Sequence, residues 1–457
     1  MTHDPRVAAE IDAPPVTRIL AEFVATHPSR GWEPAVDEEA WKSLLNWIGC
    51  AIGASRHPAV AAALAAVTEL EPSPQATILG RSERVDIGSA ALLNGIASHV
   101  FDFDDTHLKT VIHPAGPVAS AAMALAERHR ASGRDLLDAL ILGIDVECRV
   151  GNAIYPDHYD RGWHITGSTG MLGAAAACAR ILKLDATTTA MALGIAASQP
   201  VGVREQFGSM TKALHIGAAA RAGLTSALAA KHGYTASMRA LEAPRGLIRT
   251  YSDKCDWNEI SDELGRRFEI SFNTYKPFAC GVVIHPSLDG CLQLAEAHGL
   301  HDGEIERIEL RVHPLVLELT GNRAPRNGLQ AKFSVYHACA AAILFGQAGE
   351  AEFSDAIAAR ADVVALRGRI HAGADGALAE SAADVTIFCK DGRRLHVRVE
   401  HAIGSLQRRL SDGDLRRKFH GLVDPVLGVA RADRIIVQCA ALADAGNLDA
   451  LTAGATP

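Results

Sequence analysis

Apolar residues recur at three- and four-residue intervals through most of residues 16 to 265, the spacing of helices that bury one face. "DEEAWKSLLNWIGCAIGA", "SERVDIGSAALLNGIASHVFDF", "VASAAMALAERHRASG" and "DLLDALILGIDVECRVGNAI" all carry it. Several open on Ser or Asp and close on Gly, the residues that cap helix ends. "GSTGMLGAAAACARIL" and "HIGAAARAGLTSALAAKHG" are mostly alanine and glycine, which predicts central helices with closely approaching backbones.

Near residue 266 the period changes. "EIERIELRVHPLVLEL" alternates polar and apolar residues and predicts a half-buried strand. "ADVTIFCKDGRRLHVRVEH" predicts two strands joined by an Asp391-Gly392 turn. "PSLDGCLQLAEAHG" and "FSVYHACAAAILFG" are helix-like, and after residue 404 so are "SDGDLRRKFHGLV" and "ADRIIVQCAALADA". The expected fold is mainly α with an α+β second domain. The helical domain covers 1–265, the α+β domain 266–403, and 404–457 return to the helical domain.

A chain of 457 residues is long enough for two cores. Hydrophobic residues make up 48% and aromatics only 5%, which suits close-packed helices better than a sandwich or barrel. The net charge of -8 and scattered Lys and Arg argue against a nucleic-acid partner. The nine cysteines include no CxxC pair, so neither a zinc knuckle nor a disulfide framework is expected. "MTHDPRVAAEIDAPP" lacks the basic start and apolar run of a signal peptide. The most apolar segments stop short of about 18 to 20 residues, so no membrane span is expected. These features predict a soluble, cytoplasmic protein.

Ionisable chemistry concentrates in "HVFDFDDTHLKTVIHPAGPV", residues 99 to 118. One reading is a polar turn that leaves a helix and presents Asp102, Thr106 and His113 to a cavity. The other is a capping turn, since Asp and Thr are good N-caps and Pro114 suits a first helical position. Asp104 and Asp105 are expected to fix the turn. His107 and Lys109 either tune substrate choice or face solvent. A metal site competes, but signatures such as HExxH and the EF-hand loop are missing. His164 lies in "GWHITGST", where glycines permit close backbone approach. Lys212 and His215 lie three residues apart in alanine-rich sequence, as neighbours on a helix. Lys276 precedes a proline that favours extended backbone. The Tyr336 hydroxyl could bind a carboxylate or supply a proton. His285 and Asp289 are expected to shape and cap a helix. No GxSxG elbow points to covalent catalysis.

Taken together, "NGIASHVFDFDDTHLKTVIHPAGPV", "GWHITGSTGMLGAAAA", "GIAASQPVGVREQFGSMTKALHIGAAAR", "NTYKPFACGVVIHPSLDG", "KFSVYHACA" and "GSLQRRLSDGDLRRKF" resemble the MmgE/PrpD family. That family includes 2-methylcitrate dehydratases, cis-aconitate decarboxylases and an iminodisuccinate epimerase. The resemblance implies a large helical domain, a smaller α+β lid, an active site between them, a homodimer and no required cofactor. It makes Asp102, Thr106, His113, His164, Lys212, Lys276 and Tyr336 site residues, with His107 and His215 as further substrate contacts. Two lysines on one ligand imply an anion, each carboxylate–lysine contact carrying roughly 4 kcal/mol before desolvation at about 4 Å and a dielectric near 20. His113 is the expected acid/base, because imidazole titrates nearest neutral pH. Asp102 would orient or charge-balance it, Thr106 would hold a substrate carboxylate, and Lys212, Lys276 and His164 would stabilise the developing negative charge. "DDTH" and "HPAGPV" depart from the "NDT" and "HPSDN" of methylcitrate dehydratases and favour the decarboxylase and epimerase branches. The expected function is a cofactor-independent lyase, of decarboxylase or dehydratase type, for a small di- or tricarboxylate. The alternatives are a dicarboxylate epimerase and, more remotely, a non-catalytic or metal-dependent carboxylate-binding protein.

Overall fold

A computed structural model describes residues 13–29 and 31–457. The stretch read for a targeting signal lies outside the described residues up to residue 12. The chain forms two compact units. The larger holds residues up to Val100, Asp104–Asn273 and Leu422–Pro457. The smaller holds Phe101–Phe103 and Thr274–Gly421.

Both boundaries fall later than the expected 265/266 and 403/404, and side-chain anchors explain why. Arg149 is fully buried and donates to the carbonyls of Ile260, Asp262 and Arg267. Asp145 Oδ1 accepts the Glu269 N–H at 2.8 Å. These contacts keep the segment up to Asn273 on the larger unit. At the other boundary, Arg408 pairs with Asp289 at 2.6 Å and Lys418 donates to the Phe103 carbonyl at 2.6 Å, which keeps residues to 421 on the smaller unit.

The larger unit is built from α1 (Val16–Thr26), α2 (Pro34–Gly53), α3 (Pro58–Thr68), α4 (Ile87–Val100), α5 (Ala115–His129), α6 (Gly133–Ile154), α7 (Ile165–Ile181), α8 (Ala186–Ala196) and α9 (Thr211–Lys231). Ser132 and Asp135 form a capping box at the start of α6, satisfying two backbone donors that a helix start leaves orphaned. The alanine- and glycine-rich stretches are the central helices. α7 is buried along its length except at Arg180, and it packs on α5, α6 and α9. α9 also packs on α4, where a Cβ on Gly95 would stand 2.6 Å from the Gly217 Cα. Only glycine lets those two backbones touch. Among the described residues, no single helix is long and apolar enough to cross a membrane. All nine cysteines are free thiols, buried except for the half-buried Cys255.

The smaller unit carries α10 (His285–His298), α11 (Val335–Phe345) and a four-stranded sheet. Its strands are β1 (Ile305–Val312), β2 (Ile370–Ala374), β3 (Ala383–Cys389) and β4 (Arg394–Val399), in the order β2-β1-β3-β4. β1 runs parallel to β2 and antiparallel to β3, and β3 is antiparallel to β4. The β3–β4 turn contains Gly392 at φ +88°, as the Asp-Gly signal requires. The strand expected over "EIERIELRVHPLVLEL" stops at Val312. Pro314 begins a helix to Thr320, with His313 Nδ1 accepting the Leu315 N–H at 3.2 Å. A proline at the first helical position is preorganised for that start. α10 lies against β3, β4 and α11. α12 (Asp412–Leu427) carries the chain across the second boundary, and α13 (Val429–Ala440) and α14 (Asp449–Gly454) follow, with α13 packed on α2 and α14.

Candidate functional site

In the larger unit the chemistry begins at the last turn of α4, where His99 sits, and resumes at Asp104. Asp104, Asp105, Thr106 and His107 are each about 1% exposed or less. The Asp105 carboxylate accepts from Asn273 Nδ2 at 2.6 Å and from the Ala115 N–H at 3.2 Å, which caps the start of α5. The Asp105 carbonyl lies 2.7 Å from His113 Nδ1. A carbonyl can only accept, so Nδ1 carries a proton. Asp104 serves two rings, with Oδ2 at 2.7 Å from His99 Nδ1 and Oδ1 at 3.3 Å from His113 Nδ1. Thr106 Oγ1 stands 3.4 Å from the same His113 nitrogen. The His113 N–H donates to Thr166 Oγ1 at 3.1 Å, tying this loop to α7.

His164 precedes α7 and donates its backbone N–H to the Gly202 carbonyl at 3.1 Å. Its Nδ1 is 3.0 Å from the Nδ1 of His215 on α9, so one ring donates and the other accepts. Gly202 has φ +102°, and a Cβ there would stand 2.7 Å from His215 Nδ1. The imidazoles form a row: His113 to His99 at 4.8 Å, His99 to His164 at 5.8 Å and His164 to His215 at 5.3 Å between ring centres. The Lys212 ammonium lies 5.3 Å from the centre of the Phe207 ring, which meets His164 edge-on at 5.0 Å.

Burial sets the protonation states. It pushes His99 down to about 4 against the pull of Asp104, with Lys212 and His113 adding to the fall. It also holds His164 well below the usual imidazole range, and it lowers His215 with help from Lys212. Burial alone would raise Asp104, yet His99 and His113 outweigh it and keep that carboxyl well below its usual range. Asp105 is pushed up to about 6, by burial first and the Asp104 charge second. Glu147 is fully buried with neither oxygen hydrogen-bonded, and its pKa is raised far above normal, so it is neutral. At neutral pH the result is an ionised Asp104 near the neutral imidazoles of His99, His164 and His215.

The smaller unit has a different arrangement. Lys276 is buried, and its Nζ lies 3.1 Å from Asp102 Oδ1 and donates to the Asp102 carbonyl at 2.9 Å. Lys332 donates to the Phe101 carbonyl at 2.6 Å and pairs with Glu350. With Lys418 on Phe103, three consecutive carbonyls are each held by a different lysine, around an Asp102 at φ +54°. His285 beside Lys276 is pushed down to about 3, by burial first and the Lys276 charge second. Tyr336 is buried on α11, with the Arg323 guanidinium 4.6 Å from its ring centre.

Of the residues singled out in the sequence, His113, Thr106, His164, Lys212 and His215 lie in the larger unit, while Asp102, Lys276 and Tyr336 lie in the smaller. Asp104, expected to fix the turn, is the carboxylate set against both His99 and His113. Asp105 does hold the turn. His107 does not face solvent: its nitrogens meet Thr110 Oγ1 at 2.9 Å and Glu269 Oε2 at 3.1 Å. Lys109 is exposed and pairs with Glu259. His99 and Glu269 carry no distinct sequence signal, although His99 stands at the edge of the acidic run. His99, Asp104 and His113 place their nearest ligand-type atoms within 4.8 Å of one another. The nitrogens turned toward Asp104 carry protons, however, donated to Asp104 and to the Asp105 carbonyl. These contacts form a hydrogen-bond network among His99, Asp104, Asp105 and His113.

The model of the MmgE/PrpD N-terminal domain matches residues 18–260, and that of the MmgE/PrpD C-terminal domain matches residues 278–442. Similar proteins include the cis-aconitate decarboxylase-like protein oryM of Aspergillus oryzae, 27% identical over 474 residues covering 96% of this chain and 97% of that protein. The cis-aconitate decarboxylase of Homo sapiens is 28% identical over 395 residues, 80% of each chain. That of Aspergillus terreus is 33% identical over 216 residues, 46% of this chain and 44% of the other.

Proposed function

The chain belongs to the MmgE/PrpD family, and from that premise we propose that it is a lyase for a small di- or tricarboxylate, of the cis-aconitate decarboxylase type. Such a reaction passes through a carbanion or enolate next to a carboxylate and needs a proton delivered to carbon. The observation that carries this reading is the fixed tautomer of His113. The Asp105 carbonyl takes its Nδ1 proton at 2.7 Å, so Nε2 is the nitrogen that exchanges protons with substrate. For decarboxylation Nε2 first takes up a proton from solvent and then, as an imidazolium supported by Asp104, gives it to the carbanion left when carbon dioxide departs. Lys212 supplies positive charge to the developing anion, and one preorganised donor of this kind contributes about 3 to 4 kcal/mol. Asp102, Lys276 and Tyr336 of the smaller unit keep the roles the resemblance implies, and the turnover of Lys276→Met and Tyr336→Phe measures them.

A second reading, epimerisation of a dicarboxylate, draws on the pair of neutral imidazoles at His164 and His215, since proton removal and return can use two bases. One experiment separates the readings. A panel of di- and tricarboxylates is incubated with the protein in deuterated buffer and followed by NMR. Loss of carbon dioxide with one deuterium at the new C–H supports the decarboxylase. Water loss points to dehydration, and deuterium at an inverted centre points to epimerisation. No change in any substrate refutes the lyase.

A further inference from the structure

His99 has no part in the proton chemistry above, yet it is built as a site residue. It is 1% exposed, and its Nδ1 donates to Asp104 Oδ2 at 2.7 Å, which leaves the lone pair on Nε2. That Nε2 is buried with no hydrogen-bond partner among the described residues. Such an atom is rare in a folded protein and calls for a reason. Within the larger unit, the charged and titratable groups around the ring include Asp104 and His113 from the loop before α5, His164 from the start of α7 and Lys212 from the first turn of α9.

We propose that His99 is an anion-binding residue of this site, whose Nε2 takes up one proton from solvent as a polycarboxylate enters, so that ligand and proton bind together. The inference rests on the reading of the ligand as a polycarboxylate. Asp104 on Nδ1 is the partner that an imidazolium needs. What opposes the charge in the free protein is burial, together with Lys212 and His113, and these hold the ring near 4 against the pull of Asp104. A ligand carboxylate arriving at about 4 Å, in an effective dielectric near 20, strengthens proton binding roughly a thousandfold. That brings the ring to a pKa near neutral, where Nε2–H donates to the same carboxylate.

The competing role is purely structural: His99 would only hold Asp104. His99→Asn separates the two, because the amide nitrogen takes the place of Nδ1 and still donates to Asp104, whereas nothing replaces Nε2. Calorimetric titration with tricarballylate at pH 7, in buffers of different ionisation enthalpy, counts the protons taken up. The expected result is about one proton in the wild type and about none in His99→Asn, with affinity lowered roughly tenfold or more. Equal uptake in both proteins, or no uptake in the wild type, overturns the proposal. If the variant does not fold, 15N-histidine spectra of the wild type decide. One buried imidazole must keep its Nδ1 proton and gain an Nε2 proton on saturation with tricarballylate, and the absence of that change overturns the assignment. Neither measurement depends on turnover, so failure of the lyase reading shows separately in the NMR substrate panel.

Discussion

Arg149→Met removes a guanidinium that is 0% exposed and replaces it with an apolar chain of similar length. Arg149 Nε pairs with Asp145 Oδ2 at 2.7 Å, while its terminal nitrogens reach the carbonyls of Asp262 at 2.8 Å and Arg267 at 2.6 Å. Removing one partner of a buried ion pair costs about 3 to 5 kcal/mol. The stranded carbonyls add to this, but not additively, so a total near 5 kcal/mol is expected. A typical domain has only about 5 to 15 kcal/mol in all. At roughly 2 to 4 °C per kcal/mol, the melting transition should fall by about 10 to 20 °C. The loss also depends on pH. Burial, opposed by Arg149, holds the Asp145 carboxyl up at about 6. A carboxyl raised above its unfolded value stabilises the fold at low pH, and that contribution is lost as pH rises through the folded value. Without Arg149 the folded value climbs further, so the variant keeps losing up to about 1.4 kcal/mol per pH unit above 6, where the wild type has levelled off. Melts followed by near-ultraviolet circular dichroism at pH 6 and pH 8 test this, with Asp145→Asn in the variant background as the control. Asn still accepts the Glu269 N–H and should flatten the pH dependence. A variant that melts within 2 °C of the wild type at pH 8, or that shows the same deficit at both pH values, refutes the reasoning.

The remaining expectations concern the site. Gly202→Ala, at φ +102° and with its Cβ 2.7 Å from His215 Nδ1, should split the His164–His215 pair and lower kcat about tenfold or more while the far-ultraviolet spectrum is kept; parental kinetics would contradict it. His113→Asn should lower turnover by about 10² to 10⁴, the usual worth of a general acid or base, and a variant with wild-type kcat would remove His113 from the mechanism. Dialysis against EDTA should leave turnover unchanged, since the sequence carries no metal-ligand signature such as HExxH or an EF-hand loop; activity lost to the chelator and restored by a divalent metal would reverse that view.

The helices were legible because each sustains a 3.6-residue period over several turns, and the β3–β4 hairpin was legible through Asp391-Gly392. The strand β2, "IHAGA", was not: it is five residues long, and its small residues show no alternation. The reach of the larger unit to Asn273 was equally hidden. It depends on Arg149 bonding carbonyls more than a hundred positions away, at Ile260 for one. Within the acidic run, three aspartates in "DFDD" offer the same chemistry, and the backbone decides among them. Asp102 adopts φ +54° and belongs to the smaller unit, while Asp104 and Asp105 lie in the larger. A string of letters carries no such dihedral. His99 was overlooked for a related reason. Its importance comes from His113 and His164 arriving beside it, and the sequence shows only the first as a near neighbour.

Burying this many ionisable groups is costly, and the fold meets that cost by controlling protons rather than by pairing every charge. Glu147, within a helix core, stays protonated, and His99, His164 and His215 stay neutral. Asp104 keeps its charge against burial, held by the fields of His99 and His113, and Glu269 keeps its own through His107, Asn152 and Arg149. Such a cluster sits close to a balance point. The low effective dielectric that suppresses charge on each imidazole also magnifies the effect of an arriving anion, by about fourfold relative to water at the same distance. On the proposal made for His99, a polycarboxylate entering this environment changes protonation states instead of merely meeting fixed cations. A solvent-exposed lysine patch would bind the same ligand without changing protonation.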